Sequence, residues 1–503
     1  MNIAIRVDAS LQIGSGHLMR CLTLADALHD QGASVTFLCR HLPDSLAERV
    51  AIKGHQVRFL PELPFVDEGA TAHSRWLGVT RAADARACCE ALQGRDWAWL
   101  IVDHYALDAA WETTLRKHCQ RILVIDDLAD RPHDCDALLD QNLYQGMSER
   151  YHGLLPAACQ TLLGPSYALL RSEFAEWRQH SRPRHGVVQR LLVFFGGMDA
   201  DNATGSALAA IARLERPALA VDVVIGNQHP QRDAILANCQ QHGWQCHVQT
   251  DRMALLMSQA DLAIGAGGSA TWERCALGLP ALALCLADNQ RQLVDDGACA
   301  GILHGPDIDP YDSEALYRHL AALLEAPHWR TQLSQRGWQC VDARGVQRVV
   351  GVLLQPQLAI RPAQAADSES LYLWRNHPEV RSVSRNSDPI SRAVHERWLS
   401  ATLVNPQRCL LIGERDGRAV GVLRYDLSGE RAEVSIYLTP DCAKGAGLGK
   451  ALLRAGEYWL RQHYPEIVWL DAEALAGNQP SQKLFLGDAY QLAAQTFEKR
   501  ISN

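Results

Sequence analysis

The 503-residue chain has no apolar run near the roughly 18 to 20 residues that cross a bilayer, so no transmembrane segment is expected. It also lacks any block of basic residues. Asp plus Glu (57) outnumber Lys plus Arg (49), for a formal net charge of −8. That balance argues against nucleic acid or an anionic membrane surface as a partner. The start, "MNIAIRVDAS", has too short an apolar run, and no cleavage site, for a signal peptide. The 15 cysteines include no CxxC pair and their number is odd. Without an export signal they read as reduced, mostly buried thiols, and the cytoplasm is the expected compartment. There is no low-complexity tract.

What is present is the profile of a soluble globular protein, 47% apolar and 21% charged, with chain enough for three or four domains at about 150 residues each. Short, near-continuous apolar runs stand at 2–7, 34–40, 55–60, 98–103 and 121–127, the pattern of a parallel sheet covered on both faces. Between the first two, Leu18, Cys21, Leu22, Ala25 and Leu28 keep helical spacing and Gly32 closes the helix. A second block of the same kind begins near 187, with strands expected at its start, at 220–226, 246–249, 262–268 and 280–286. The polar stretch "RQHSRPRHG" (178–186) separates the blocks, and "LQPQLAIRPA" leads into a third. The expected domains are therefore 1–180, 186–354 and 358–503. The expected class is α/β, two doubly wound Rossmann-like domains followed by a smaller α/β domain.

Ligands of doubly wound sheets bind at the carboxyl ends of the strands. There "IGSGHLMRCLTLADAL" (13–28) puts His17 behind two glycines at a helix start. The partial positive charge of helix-start N–H groups disfavours a proton on the ring, and a neutral imidazole suits a general base. Gly14 and Gly16 let backbone approach a ligand. "GAGGSATWE" (265–273) is a loop suited to phosphate oxygens, with Ser269 and Thr271 as hydroxyl donors and Glu273 placed for ribose hydroxyls. "FFGGMDADN" (194–202) is a second such loop. The acidic triplet Asp307-Ile308-Asp309 reads as a solvated turn, and no metal site is expected.

Together "RVDASLQIGSGHLMRCLTLADAL", "IVDHYALD", "VIDDLADRPHDCDALLDQN", "FFGGMDADN" and "GAGGSATWERCALGLP" resemble the nucleotide-sugar hydrolases of pseudaminic acid biosynthesis, similar in fold to two-domain (GT-B type) glycosyltransferases of the MurG kind. The resemblance covers residues 1 to about 350. It implies that His17 activates water for attack on the anomeric carbon of UDP-2,4-diacetamido-2,4,6-trideoxy-β-L-altropyranose, expelling UDP with inversion. It places Gly267, Gly268, Ser269, Thr271 and Glu273, with Gly197, Asp199 and Asn202, around the UDP. Arg6, Asp8, Gly14, Ser15, Gly16, Asp103, Tyr105, Arg131 and Asn142 would line the N-terminal side.

In the last domain an alternating strand (432–438) is stopped by Pro440. "KGAGLG" (444–449) then opens a helix with Leu452, Leu453, Gly456 and Trp459 or Leu460 turned inward. Such a helix start cradles a pyrophosphate. The region resembles the GNAT acetyltransferases, with Lys444 where they carry Gln or Arg. The resemblance implies acetyl-CoA as cosubstrate, held by Lys444, Gly445, Gly447, Gly449, Lys450 and Asn478. Glu433 and Ser435 are candidates to accept the amine proton. Phe485 stands where many relatives have an acidic tyrosine, leaving Tyr490 or water as substitutes. "LWRNHPEVR" and "HERWL" look like the sugar-N-acetyltransferase branch, although Trp374 and Trp398 also suit a core. The two implied reactions are neighbouring steps: N4-acetylation of UDP-4-amino-4,6-dideoxy-N-acetyl-β-L-altrosamine, then hydrolysis. The alternatives are a glycosyltransferase using a UDP-sugar donor, with a GNAT domain of other amino-sugar specificity, or a nucleotide-sugar sensor without turnover.

Overall fold

The computed structural model describes residues 1–10, 12–69, 73–354, 358–384, 386–415, 417–442, 447–475, 477–487 and 490–492. The chain divides into two compact units, Met1–Leu353 and Leu354–Asn503.

The first unit contains two parallel sheets. Strands β1 (Asn2–Val7), β2 (Ser34–Cys39), β3 (Gln56–Phe59), β4 (Trp97–Asp103), β5 (Cys119–Ile125), β6 (Ala137–Asp140) and β7 (Gln160–Leu163) take the order β3-β2-β1-β4-β5-β6-β7. The apolar runs form the central strands, and Ile3, Ile5, Phe37, Leu100, Ile101 and Leu123 are fully buried. The sequence reading missed β6 and β7. The second sheet comprises β8 (Arg190–Phe194), β9 (Ala220–Ile225), β10 (Gln245–Val248), β11 (Leu262–Ala266) and β12 (Ala281–Leu284), in the order β10-β9-β8-β11-β12. In each sheet the strand order reverses beside the first strand, between β1 and β4 and between β8 and β11. That switch opens a crevice at the strands' carboxyl ends.

The two halves exchange a helix. Phe174, on the helix Ser172–His180, is fully buried in one core with Met257, Trp272 and Leu277 of the second half. The final helix Gly345–Leu353 returns to the first half, where the Trp99 indole donates to the Leu353 carbonyl at 2.8 Å. Apolar spacing sets a helix's face but not which sheet that face meets.

The second unit holds one sheet, β13 (Ala359–Pro362), β14 (Arg408–Arg415), β15 (Arg418–Ser428), β16 (Arg431–Leu438) and β17 (Trp469–Ala472), in that order. All neighbours are antiparallel except β16 and β17. On one face the helix Leu448–His463 buries Leu448, Leu452, Leu453 and Leu460. The inward choice therefore falls on Leu460, with Trp459 at the margin. Gly456 has its reason here: a Cβ would lie 2.2 Å from Leu423 Cδ1, so only glycine lets the helix press on β15. The opposite face carries Leu371, Leu399, Ile412 and Val422, bordered by Trp374 and Trp398.

Beneath the first sheet lies a buried ion network. Asp84 accepts from Arg6 (2.9 and 3.2 Å), Arg40 (2.8 and 3.2 Å) and the Trp111 indole (3.1 Å). Burial pushes the Asp84 carboxyl up, but Arg6 and Arg40 outweigh it and hold it below the usual range. Removing one member of a buried ion network strands the others without water. Asp84→Ala is therefore expected to cost about 3–5 kcal/mol, read as a lower urea midpoint for the Met1–Leu353 unit in the full chain. A loss of only a few tenths of a kcal/mol would show the cluster to be hydrated.

Candidate active site

β1 and β4 end side by side at the switch point, and the loop after β1 leads into the helix Gly16–Asp30. Gly14 adopts φ +76°, a turn that swings the chain back before the helix. His17, on the helix's first turn, meets Asp103, the last residue of β4, at 2.6 Å between Nδ1 and Oδ1. Arg20, one turn later, donates from Nε to Asp103 Oδ2 and from Nη2 to Oδ1, both at 2.7 Å. Burial pushes Asp103 up, but Arg20 and then His17 outweigh it and hold the carboxyl well below the usual carboxylate range. A 2.6 Å approach of two acceptors requires a proton between them. With Asp103 ionised, that proton belongs to His17 Nδ1. The ring's reactive lone pair is then on Nε2. Tyr105 stands edge-on to the imidazole at 4.6 Å between ring centroids, and Trp76 stacks on Tyr105 at 5.6 Å.

A hydrogen-bonded chain runs on from this dyad. Arg20 Nη1 donates to Asp127 (3.2 Å), which also accepts from the Tyr105 hydroxyl (2.5 Å) and Asn142 Nδ2 (3.2 Å). Asn142 Oδ1 accepts from the Trp272 indole at 3.0 Å. Trp272 sits on the helix Ala270–Ala276, which begins at the glycine-rich loop of the other half. Gly267 is demanded by packing, since a Cβ there would lie 2.1 Å from Val294 Cγ2, whereas a Cβ at Gly268 would meet nothing nearer than 3.6 Å. Ser269 is exposed. Glu273 receives Arg171 at 3.5 Å, and burial raises its carboxyl against that charge. Val294, Cys285, Arg291 and the Pro306–Pro310 turn line a cavity of about 300 Å³. Asp307 and Asp309, read as a merely solvated turn, thus border a cavity that shares Val294 with the loop.

In the second unit β16 pairs with β17 only from Arg431↔Trp469 to Val434↔Ala472. Ser435–Leu438 continues beyond that pairing, with no partner on that side among the described residues, and the helix Leu448–His463 follows Gly447 at φ +73°. Glu433 is exposed on β16. Ser435 Oγ accepts from Arg424 at 3.3 Å.

Residues 357–486 match the model of the acetyltransferase (GNAT) domain. Over 292 residues, 58% of this chain and 93% of the relative, the chain is 26% identical to the UDP-2,4-diacetamido-2,4,6-trideoxy-beta-L-altropyranose hydrolase of Campylobacter jejuni. A match of that length exceeds the second unit, so it must extend into Met1–Leu353. The chain joins a UDP-sugar-hydrolase-like module to a GNAT domain. Both modules together have a counterpart: an uncharacterized protein of Methanocaldococcus jannaschii is 21% identical over 96% of each chain. Among solved structures, MurG of Acinetobacter baumannii aligns with 70% of this chain and 98% of its own, at 14% identity and a TM-score of 0.46.

Several expected site residues of the hydrolase-like module are engaged with the protein's own groups. Arg6 and Asp8 do not line the crevice. Both are wholly buried, Arg6 on Asp8 (2.7 Å) and Asp84, and Asp8 on the N–H groups of Arg40 and His41. Arg131 is turned inward to the Leu107 carbonyl and to Asp126 and Asp130. Asp199 caps the helix Ala203–Ala212 through the N–H groups of Ala203 and Thr204, and Asn202 caps it through Gly205. The Thr271 hydroxyl oxygen accepts from Arg274 rather than facing outward. Gly14, Ser15 and Gly16 reach the surface at the His17 turn, and Gly197 has open space where a Cβ would stand. Asp103, Tyr105 and Asn142 gather around His17 and Arg20, though Asp103 is itself buried and acts on His17 rather than outward.

In the GNAT domain Asn478 caps the helix Gln479–Leu486 by accepting from the Ser481 N–H. Phe485 is buried in the core with Leu423, Leu453 and Leu460. Tyr490 donates to Glu457 at 3.1 Å, and Lys450 donates to the Gly487 carbonyl at 2.9 Å. Gly449 is described, whereas Lys444 and Gly445 lie outside the described residues. Arg20, Asp127 and Trp272 are among the residues that sequence reading missed. Arg20 stood inside the quoted motif, three residues from His17, but an i, i+3 spacing gives no hint of a shared carboxylate on another strand.

Asp140, at the end of β6 beside this chain, is pushed up to about 7 by burial and by Asp127, against the Asn142 N–H, Arg150 and Tyr151. Its ordinary value is 3.8, so between about pH 4 and 7 the folded protein holds a proton that the unfolded chain has released. Stability therefore falls as pH rises through that window. Asp140→Asn mimics the protonated acid and is expected to flatten the fall, gaining on the parent at about pH 8 relative to about pH 5 in thermal melts. Parallel pH profiles for the two proteins would disprove it.

Proposed function

We propose that this protein carries out two consecutive steps on a UDP-amino sugar of pseudaminic acid biosynthesis. Its GNAT domain acetylates the 4-amino group of UDP-4-amino-4,6-dideoxy-N-acetyl-β-L-altrosamine with acetyl-CoA. The hydrolase-like module then hydrolyses UDP-2,4-diacetamido-2,4,6-trideoxy-β-L-altropyranose to the free sugar and UDP. The observation that carries the reading is the His17–Asp103 pair at the β1/β4 switch point, with Nε2 left to act.

In the hydrolytic step, His17 Nε2 takes a proton from water as the water oxygen bonds to the anomeric carbon. The bond from that carbon to the UDP oxygen breaks on the opposite face, so configuration inverts. Asp103 stabilises the imidazolium that forms, through its bond to Nδ1–H, and the proton afterwards passes to solvent. Loop N–H groups at Gly267, Gly268 and Ser269 and the following helix start offset the charge on departing UDP. Glu273 binds ribose hydroxyls, and the cavity at Val294 and Pro306–Pro310 takes the base. In the acetyl-transfer step, the edge of β16 at Ser435–Leu438, beyond its pairing with β17, and the helix start at Gly447–Gly449 fit an extended pantetheine with its pyrophosphate. That ligand supplies the acetyl thioester. Glu433 or Ser435 accepts the amine proton, directly or through water. Carried on one chain, the two centres raise the local concentration of the shared intermediate.

Mass spectrometry of the full chain with acetyl-CoA and the UDP-4-amino sugar tests both steps. The expected sequence is a gain of one acetyl followed by loss of UDP, without any added acceptor. Loss of UDP only when an acceptor sugar or lipid is supplied identifies a glycosyltransferase instead. His17→Ala is expected to slow UDP release by about 10²–10⁴-fold while acetylation and UDP binding persist. Hydrolysis at the parent rate would remove His17 from the mechanism, and absence of turnover in the parent would favour a sensor.

A further inference from the structure

His17 is held by a carboxylate that is itself held. We propose that Arg20 is the positioning residue of this centre: its guanidinium clamps Asp103 so that one oxygen fixes His17 Nδ1–H, and its charge offsets that of the carboxylate at the ring. The inference deepens the reading of His17 as base and rests on it.

The geometry supports each part. The fork is bidentate, Nε and Nη2 meeting the two Asp103 oxygens at 2.7 Å each. That pattern fixes the plane of a carboxylate as well as its place. Asp103 Oδ1, the oxygen facing His17, is shared, and Arg20 Nη2 lies 3.2 Å from His17 Nδ1. Both N–H groups therefore converge on one oxygen. The third arm, Nη1, is anchored on Asp127 at 3.2 Å, so the guanidinium cannot swing away. The Arg20 side chain is only 10% exposed and that of Asp103 not at all, so water screens little of their field.

A lone buried carboxylate at 2.6 Å strongly favours imidazolium, which is useless as a base. A cation on the same carboxylate cancels much of that pull while leaving the hydrogen bond. The rings against His17 are Tyr105 from the loop after β4 and Trp76 from the segment before Leu77, and His73 packs on both of them. Tyr105 is pushed up by burial and then by Asp127, so it stays neutral. Burial lowers His73, against a pull from Asp130 and with Arg131 reinforcing it. Asp127 is bonded to Arg20, Tyr105 and Asn142. Arg20 is thus the cation that sets the charge balance at His17.

Arg20→Met in the full chain tests this by two readouts. The first is the acid limb of the pH profile for kcat/KM of UDP release, expected to move up by about 1–3 pH units, so that activity lost near neutrality returns in alkali. The second needs no turnover: a long-range ¹H–¹⁵N spectrum of ¹⁵N-histidine-labelled protein, with His17 assigned by its loss in His17→Gln. The parent is expected to show the Nδ1–H tautomer, and the variant an imidazolium persisting to higher pH. Binding of UDP itself, followed by calorimetry, is expected to keep the parent's affinity. An unmoved acid limb with the parent's tautomer overturns the proposal. If His17→Ala hydrolyses normally while Arg20→Met still shifts the His17 signal, the base reading fails and the positioning role stands. Should Arg20→Met not fold, Arg20→Lys carries the test. It keeps the charge without the fork, so kcat is expected to fall with the acid limb in place, and a displaced limb with kcat unchanged overturns the proposal.

Discussion

Asp103 is the hinge of this molecule's chemistry. A carboxylate taken wholly out of water is costly unless cations and N–H donors surround it. At the end of β4 it is surrounded by His17 on one side and Arg20 on the other. The same contacts that make its burial tolerable also orient the imidazole, so the requirement of folding and the requirement of the site are met by one arrangement. The parallel sheet supplies the rest. Because β1 and β4 are neighbours whose carboxyl ends coincide, the helix after β1 must begin beside the last residue of β4.

From this point a single chain of hydrogen bonds reaches the other half: Arg20 to Asp127, Asp127 to Asn142, Asn142 to the Trp272 indole. Trp272 belongs to the helix that starts at the glycine-rich loop. His17 and the helix that follows the glycine-rich loop are therefore joined by one polar network. The crossing helices Ser172–His180 and Gly345–Leu353, each packed on the half to which it does not belong by sequence, join the halves by apolar burial as well.

Much of this was legible beforehand. Continuous apolar runs marked ten of the twelve strands in the first unit, and glycine loops at strand ends marked both crevices. His17 stood out because a helix start needs no histidine. Less could be read wherever one residue type serves two purposes. Arg6 and Asp8 sit next to the His17 motif yet belong to the buried Asp84 network, and nothing in a sequence tells a buried ion pair from a binding pair. Asp199, Asn202 and Asn478 are polar residues at helix starts, where capping and ligand binding call for the same side chains. In the GNAT domain, Phe485 at an expected acid position is simply core.

The sequence by itself determined most strands of the first unit, the helix faces, the order of the modules and the place of a histidine at a helix start, because hydrophobic period and turn chemistry act over a few neighbouring residues. Only the tertiary structure decided that Asp103 and Arg20 flank that histidine, that Trp272 is tied to Asn142, and that a loop of acidic residues borders a cavity. The first two join positions 83 to 130 residues apart, and their partners are chosen by strand order and burial, which no local pattern encodes.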